Sequence, residues 1–170
     1  LEDFIDKRSK AMKLLANSPI ELIQGSETML HEYLFHYMDI SELCISRKKY
    51  LLLELPFYGD WDKNGFQMIE KLISYYDIVP IIAHVERYQS IKIKDKAIKK
   101  LRDLGCFIQS NTSSIACKKN QGLIMRYMKE GYIDVLGSDC HNMESRPPVI
   151  KEAYEIVRKN MGEKYWNTLQ

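Results

Sequence analysis

Apolar and polar residues follow two patterns along this chain, and the two patterns alternate. Short apolar runs are typical of buried strands, whereas apolar residues spaced three and four apart are typical of amphipathic helices. The runs predict strands at residues 20–25, 51–55, 78–83, 106–111 and 133–136. The helical spacing predicts helices at residues 1–16, 29–38, 65–76, 93–104, 122–131, 147–160 and 163–169.

The alternation of strand and helix, with short connections, favours an α/β fold. Parallel strands joined by right-handed crossovers and covered by helices produce this order, either in a β/α barrel or in an open doubly wound sheet. The chain has no glycine-rich loop of the dinucleotide or P-loop type, so we favour the barrel. Five strands are too few for a barrel of eight, so the barrel is either smaller and distorted, or some of its strands precede Leu1.

Polar residues stand at or near the ends of the predicted strands. Glu27, Glu54, His84, Asn111 and Asp139 each occupy such a position. In a β/α barrel the carboxyl ends of the strands converge on one face, where active sites are built. The sequence therefore predicts one polar site, although an alternative interpretation of Glu54 is that it pairs with a neighbouring arginine.

Composition excludes several classes of protein. The 170 residues suit a single domain, 1–170, and the formal net charge of +2 gives no reason to expect nucleic acid as a partner. Four cysteines without a Cys-x-x-Cys pair indicate neither a disulfide framework nor a zinc knuckle. No signal-peptide pattern or apolar run of about 18 residues occurs, which predicts a cytoplasmic protein that does not insert into membranes.

Asp139 and His141 are the first candidate metal ligands. They lie two residues apart in the loop that Gly137 and Ser138 open after the last predicted strand. A carboxylate and an imidazole at one strand end can bind a hard or borderline metal ion. The strand at 78–83 ends similarly, in a polar cluster that begins with His84.

Several motifs together resemble those of the PHP (polymerase and histidinol phosphatase) superfamily. The segments 83–88 (Ala-His-Val-Glu-Arg-Tyr), 137–142 (Gly-Ser-Asp-Cys-His-Asn) and 146–148 (Arg-Pro-Pro) carry the resemblance. They are most similar to the capsule-regulating tyrosine phosphatases of Gram-positive bacteria, the CpsB/YwqE type. Segments 25–27 and 53–56 also resemble motifs of that family, in the same order along the chain.

The resemblance implies a distorted TIM-like barrel of the (β/α)7 type that holds divalent metal ions, commonly manganese, with iron or zinc as alternatives. It implies hydrolysis of phosphotyrosine by a metal-activated water, without a cysteine nucleophile. The metal ligands it implies are Glu27, His84, Asp139 and His141. The resemblance also implies that Arg87 and Arg146 hold the phosphate.

The implied substrate is a phosphotyrosine protein, the tail of a bacterial tyrosine kinase in capsular or exopolysaccharide synthesis. The oligomeric state is left open. The residue chemistry agrees with these roles, because clustered ions lower the pKa of a bound water and a guanidinium group matches two phosphate oxygens.

This chain departs from the family in one respect. Members begin with an Asp-x-His-x-His strand, but the four histidines here, His31, His36, His84 and His141, include no His-x-His pair. The departure predicts that the first strands of the barrel, with part of the ligand set, precede Leu1.

Three alternatives remain beside the tyrosine phosphatase. The chain could act on a small phosphate ester such as histidinol phosphate, since specificity depends on variable loops. It could also be a non-catalytic module that binds a kinase tail or a phosphopeptide. A thiol nucleophile is the third, because Cys140 and Arg146 have Cys-x5-Arg spacing, but Met143, Glu144 and the lack of glycine make a poor phosphate cradle.

Overall fold

The computed structural model describes residues 1–56, 63–88 and 95–169. The strands in these ranges are β1 (Glu27–Met29), β2 (Tyr50–Glu54), β3 (Val79–Ile82), β4 (Phe107–Asn111) and β5 (Val135–Gly137). The helices are α1 (Glu2–Leu14), α2 (Lys63–Tyr76), α3 (Asp95–Asp103), α4 (Thr112–Ala116), α5 (Lys118–Lys129), α6 (Ile150–Met161) and α7 (Glu163–Trp166). Single 3₁₀ turns occupy Glu32–His36, Ser41–Leu43, Ile45–Arg47 and Val85–Arg87.

The five described strands form one sheet, in which every neighbouring pair is parallel. Their order in space is the order in sequence, β1-β2-β3-β4-β5. A doubly wound sheet reverses its strand order at a switch point, whereas a β/α barrel adds each strand beside the last. The observed order is therefore that of a barrel, as predicted.

The core lies between one face of the sheet and the helices. Along β2, Leu51 and Leu53 are fully buried, whereas Tyr50, the first residue of the strand, is exposed. Since side chains in a strand alternate between faces, one face of β2 packs into the core with the helices, whereas the other carries Tyr50 and Glu54. The buried strand positions meet helix residues such as Leu72 and Ile124, also inaccessible to solvent.

The predicted strand at residues 20–25 is wrong. This segment forms no strand or helix, and its apolar residues Ile20 and Ile23 are exposed. Its backbone is held instead near the turns of residues 41–47, through Ser26 N to Leu43 O and Ser46 N to Gln24 O. Glu27 consequently begins β1 rather than following a strand.

The predicted helix at 29–38 is also wrong in extent. Met29 belongs to β1, where it pairs with Glu54, and only Glu32–His36 forms a 3₁₀ turn. Strand pairing outweighs local helical spacing here, because a short apolar run fits either structure. The other predicted helices are confirmed within a few residues at each end, apart from residues 93 and 94, which lie outside the described residues.

Among the described residues, no helix is long and apolar enough to cross a membrane. The cytoplasmic location stays a prediction.

Candidate metal and phosphate site

Three side chains from neighbouring strands meet at one end of the sheet. Glu27 begins β1, Glu54 ends β2, and His84 follows β3. His84 Nε2 lies 2.8 Å from Glu27 Oε1 and 3.2 Å from Glu54 Oε1. One ligand atom from each residue lies within 4.8 Å of the others, so the three can surround a single cation. We call these residues the carboxylate–histidine cluster.

The donor set of this cluster fits a divalent metal ion. Two carboxylate oxygens and one imidazole nitrogen, with no thiolate, suit manganese, iron or zinc in an open site rather than a structural zinc. His84 is buried, and the side chains of Glu27 and Glu54 retain 36% and 18% of their exposure. The carboxylates are therefore accessible to an entering ion, while the imidazole is fixed by its surroundings.

Asp139 forms a second cluster with two arginines. Its Oδ2 accepts hydrogen bonds from the Nη2 atoms of both Arg87 and Arg146, and another from Asn111 Nδ2 at 2.9 Å. Two guanidinium groups thus converge on a single carboxylate oxygen. We call Asp139, Arg87 and Arg146 the arginine cluster.

The charges of this cluster control the protonation of Asp139. Burial by itself raises the pKa of a carboxyl group, but Arg87, the Asn111 hydrogen bond and Arg146 together outweigh it. The pKa of Asp139 therefore lies below its ordinary value of 3.8, and the group is a carboxylate at neutral pH.

His84 and Asp139 share an uncommon backbone conformation. Their φ angles are +33° and +49°, in the left-handed region that residues other than glycine rarely adopt. Such backbone costs free energy and persists where the surrounding contacts hold it, often at functional sites.

The loop from Ser138 to Arg146 carries His141 and Cys140 on the surface. His141 Nε2 lies 3.2 Å from Asp139 Oδ1, and more than half of its side chain is exposed. The backbone N–H groups of Glu144, Ser145 and Arg146 donate to the side-chain oxygen of Asn142. A cysteine phosphatase needs such amides free to cup a phosphate, so this loop does not support the thiol alternative.

The structure brings the predicted site residues together in two groups rather than one. Glu27 and His84 share the carboxylate–histidine cluster, whereas the predicted ligands Asp139 and His141 lie with the two arginines. Their role as metal ligands stays a prediction.

Sequence reasoning misjudged Glu54. In the described chain it pairs with His84 and with no arginine, contrary to the interpretation from sequence. Its position at a strand end, shared with Glu27 and His84, was the available signal.

Comparisons with known proteins identify the family of this chain. A family model described as capsular polysaccharide synthesis, CpsB/CapC, matches residues 3–170. The tyrosine-protein phosphatase CpsB of Streptococcus pneumoniae is 36% identical over 130 residues, which cover 71% of this chain and 52% of that protein. CpsB of Streptococcus agalactiae serotype III is 26% identical over 180 residues, or 99% of this chain and 73% of that protein.

The chain thus spans about half the length of the Streptococcus pneumoniae relative. Among solved structures, it is similar to one from a study of YwqE from Bacillus subtilis and CpsB from Streptococcus pneumoniae, described as unique metal-dependent tyrosine phosphatases. The TM-score is 0.79 at 23% identity, over 95% of this chain and 66% of that one. At this identity the likeness establishes the fold, and it confirms the predicted α/β architecture.

Proposed function

Because the chain belongs to the CpsB/CapC family of capsular polysaccharide synthesis proteins, we propose that it is a metal-dependent phosphatase that hydrolyses phosphotyrosine in proteins. One observation carries the proposal: a cluster able to hold a divalent cation is linked by hydrogen bonds to two arginines that converge on one oxygen atom. Phosphoester hydrolysis needs this pairing of a cation with anion-binding groups.

The arginine cluster would hold the phosphate group. Arg87 and Arg146 are partly exposed, and their guanidinium groups already surround an anionic oxygen of Asp139. A phosphate monoester presents several such oxygens, so it can take over guanidinium hydrogen bonds that Asp139 now accepts. Substrate binding would thereby place the phosphorus beside the loop that carries Asp139 and His141.

Glu27, Glu54 and His84 would hold the metal ion, with manganese the first candidate and iron or zinc the alternatives. When bound, such an ion lowers the pKa of a water molecule and shields the charge of phosphate oxygens. Asp139 and His141 would complete the ligand set, as the sequence motifs imply. The burial of His84 fixes the imidazole, so its nitrogen faces the carboxylates before any ion arrives.

The substrate would be a phosphotyrosine protein, and the tail of a bacterial tyrosine kinase is the partner we propose. Support comes from the relatives, which are named tyrosine-protein phosphatases, and from the family description, which refers to capsular polysaccharide synthesis.

Turnover of two substrates by the same preparation tests this function. We expect hydrolysis of a phosphotyrosine peptide with Mn²⁺, loss of that activity in a chelator, and much slower hydrolysis of histidinol phosphate. Peptide hydrolysis that persists in the chelator would contradict the metal requirement. Binding of the peptide without turnover would instead identify a non-catalytic module, and preference for histidinol phosphate would identify a small-ester phosphatase.

Substitution of Arg146 by lysine tests the phosphate-binding role. Arg146→Lys keeps the charge but loses the two-pronged hydrogen bond, so we expect at least about a tenfold loss of kcat/KM with metal content unchanged. Arg158→Lys, on the exposed face of α6, is the matched control.

Substitution of Cys140 tests the thiol alternative. Cys140→Ser should retain full metal-dependent activity, and an inactive serine variant would restore the thiol mechanism.

A further inference from the structure

We propose that Gln109 and Asn111 form an amide relay that sets the carboxylate–histidine cluster and the arginine cluster at a fixed separation. Both are positioning residues, since neither belongs to the two clusters that would contact metal or phosphate. The inference rests on the proposed function, because it concerns how the metal and phosphate sites of that function are aligned.

The relay is a continuous chain of hydrogen bonds. Gln109 Oε1 accepts from the backbone N–H of His84, and Gln109 Nε2 donates to Asn111 Oδ1 at 3.0 Å. Asn111 Nδ2 then donates to Asp139 Oδ2 at 2.9 Å. Every link runs in the same direction, so each amide polarises the next. The chain begins at a residue of one cluster and ends at a residue of the other.

The position of the relay in the sheet explains what it can control. Gln109 and Asn111 lie on β4, between β3, which leads to His84, and β5, which leads to Asp139. Both relay side chains are buried, with exposures of 8% and 1%. His84 and Asp139 both have a positive φ angle, and the relay joins these two residues, through the backbone N–H of His84 and the side chain of Asp139.

Gly137 on β5 provides an independent indication. A Cβ atom at this position would lie 2.6 Å from Gln109 Nε2 and 3.4 Å from Gln109 Cδ. Its φ angle is not in the left-handed region, so backbone conformation does not require glycine here. A Cβ atom here would instead displace the Gln109 amide from its present position, so the glycine leaves room on β5 for the relay.

Asn111 is held in place from its other side by Glu86. The buried carboxylate of Glu86 accepts hydrogen bonds from Ser110 Oγ at 3.0 Å, Ser114 Oγ at 2.8 Å and the backbone N–H of Asn111 at 3.2 Å. A substitution of Gln109 loses its bond to Ser110 O but keeps these three bonds to Glu86, so the end of β4 should stay in place. A variant at Gln109 therefore tests alignment rather than the integrity of the strand.

The test measures the affinity of inorganic phosphate with and without Mn²⁺ by calorimetry. In the unsubstituted chain, bound Mn²⁺ should tighten phosphate binding, because the anion contacts both clusters. Gln109→Met keeps about the same side-chain volume and removes the two relay bonds, to His84 and Asn111, together with the bond to Ser110 O. We expect the affinities of this variant for Mn²⁺ alone and for phosphate alone to stay within about threefold of those of the original chain. The gain in phosphate affinity that bound Mn²⁺ produces should fall by at least about tenfold.

The matched control is Gln121→Met, which removes a side-chain amide that donates to Ile115 O, apart from the two clusters. It should retain the full gain. A full gain in Gln109→Met would overturn the relay while leaving the proposed function standing. No gain in the unsubstituted chain would overturn the proposed function and the relay together.

A second measurement covers the case in which Gln109→Met does not fold. Gly137→Ala should lower the urea midpoint of unfolding, since the new Cβ displaces the Gln109 amide. In a Gln109→Ala background the same substitution should have little effect, because the displaced atoms are gone. Equal losses in both backgrounds would show that Gly137 does not accommodate the relay and would overturn the proposal.

Discussion

Tyr88 packs beside His84 and supports the site through a buried hydrogen bond. Its ring is fully buried, and the centroid of the ring lies 5.7 Å from the centroid of the His84 imidazole. Its hydroxyl oxygen accepts a hydrogen bond from the backbone N–H of Leu55 at 2.9 Å. Burial raises the pKa of the phenol well above its ordinary value, so the group stays neutral over the working pH range. Leu55 directly follows Glu54, which makes this bond part of the support of a candidate ligand.

Tyr88→Phe should therefore destabilise the fold. The ring remains, but a buried backbone N–H loses its acceptor, which costs about 1–3 kcal/mol of unfolding free energy. Urea unfolding at neutral pH measures the loss. Tyr50→Phe is the control, because Tyr50 is 42% exposed and its substitution should change the stability by less than about 0.5 kcal/mol. Equal effects of the two substitutions would remove the buried hydrogen bond as the cause.

Predictability from sequence also differs from residue to residue. Gly105 was identifiable as a helix stop, and it has the left-handed φ of +85° that such a stop requires. Gln109 was not identifiable as a support for His84, because its role depends on a contact across two strands. A local backbone conformation can be inferred from adjacent residues in the sequence. Hydrogen bonds between strands cannot, because they depend on the register of strand pairing.

Among the secondary-structure elements, success depended on whether an apolar run is buried in the sheet. The strand predicted at 51–55 differs by one residue at each end from β2. The prediction succeeded because a strand that helices cover on one face must be apolar at alternate positions. The run at 20–25 has a similar composition but joins no strand among the described residues. Its pattern alone does not reveal that its neighbours are 3₁₀ turns.

The helices α3 and α5 are joined by an ion pair that depends on pH. Arg126 donates two hydrogen bonds to Asp95, at 2.8 and 2.9 Å, and these lower the pKa of Asp95 below its ordinary value of 3.8. Because the folded-state pKa is the lower one, the pair stabilises the fold above about pH 4 and this contribution disappears as the pH falls through the folded-state pKa.

Asp95→Asn should reduce the unfolding free energy at pH 7 by less than about 1 kcal/mol, since both partners are more than 40% exposed. The difference from the original chain should shrink as the pH falls below about 4 and vanish once the pH lies below the folded-state pKa of Asp95. Urea unfolding at several pH values measures it. A constant deficit in Asp95→Asn at all pH values would exclude the ionic explanation.

At the scale of the whole molecule, the strand order links the fold to the site. Sequential parallel strands lie beside one another in the sheet, so residues distant in sequence, such as Glu27 at the start of β1 and His84 after β3, come within hydrogen-bond distance. Alternation of strand and helix was sufficient to predict this convergence. The division of the polar residues into two clusters was not predictable, because it depends on which carboxylate the arginines reach.

A metal ion in the carboxylate–histidine cluster would connect three strands and should stabilise the molecule as a whole. Binding to the folded state alone adds about 2.7 kcal/mol when free Mn²⁺ is a hundredfold above its dissociation constant. Thermal unfolding with Mn²⁺ and with a chelator should therefore show a higher midpoint with the metal. Glu54→Gln removes one charged ligand from the end of β2 and should abolish most of that shift, whereas Glu155→Gln, on the exposed face of α6, should preserve it. A shift of equal size in all three proteins would place the ion away from Glu54, and with it the chemistry that the cluster is proposed to support.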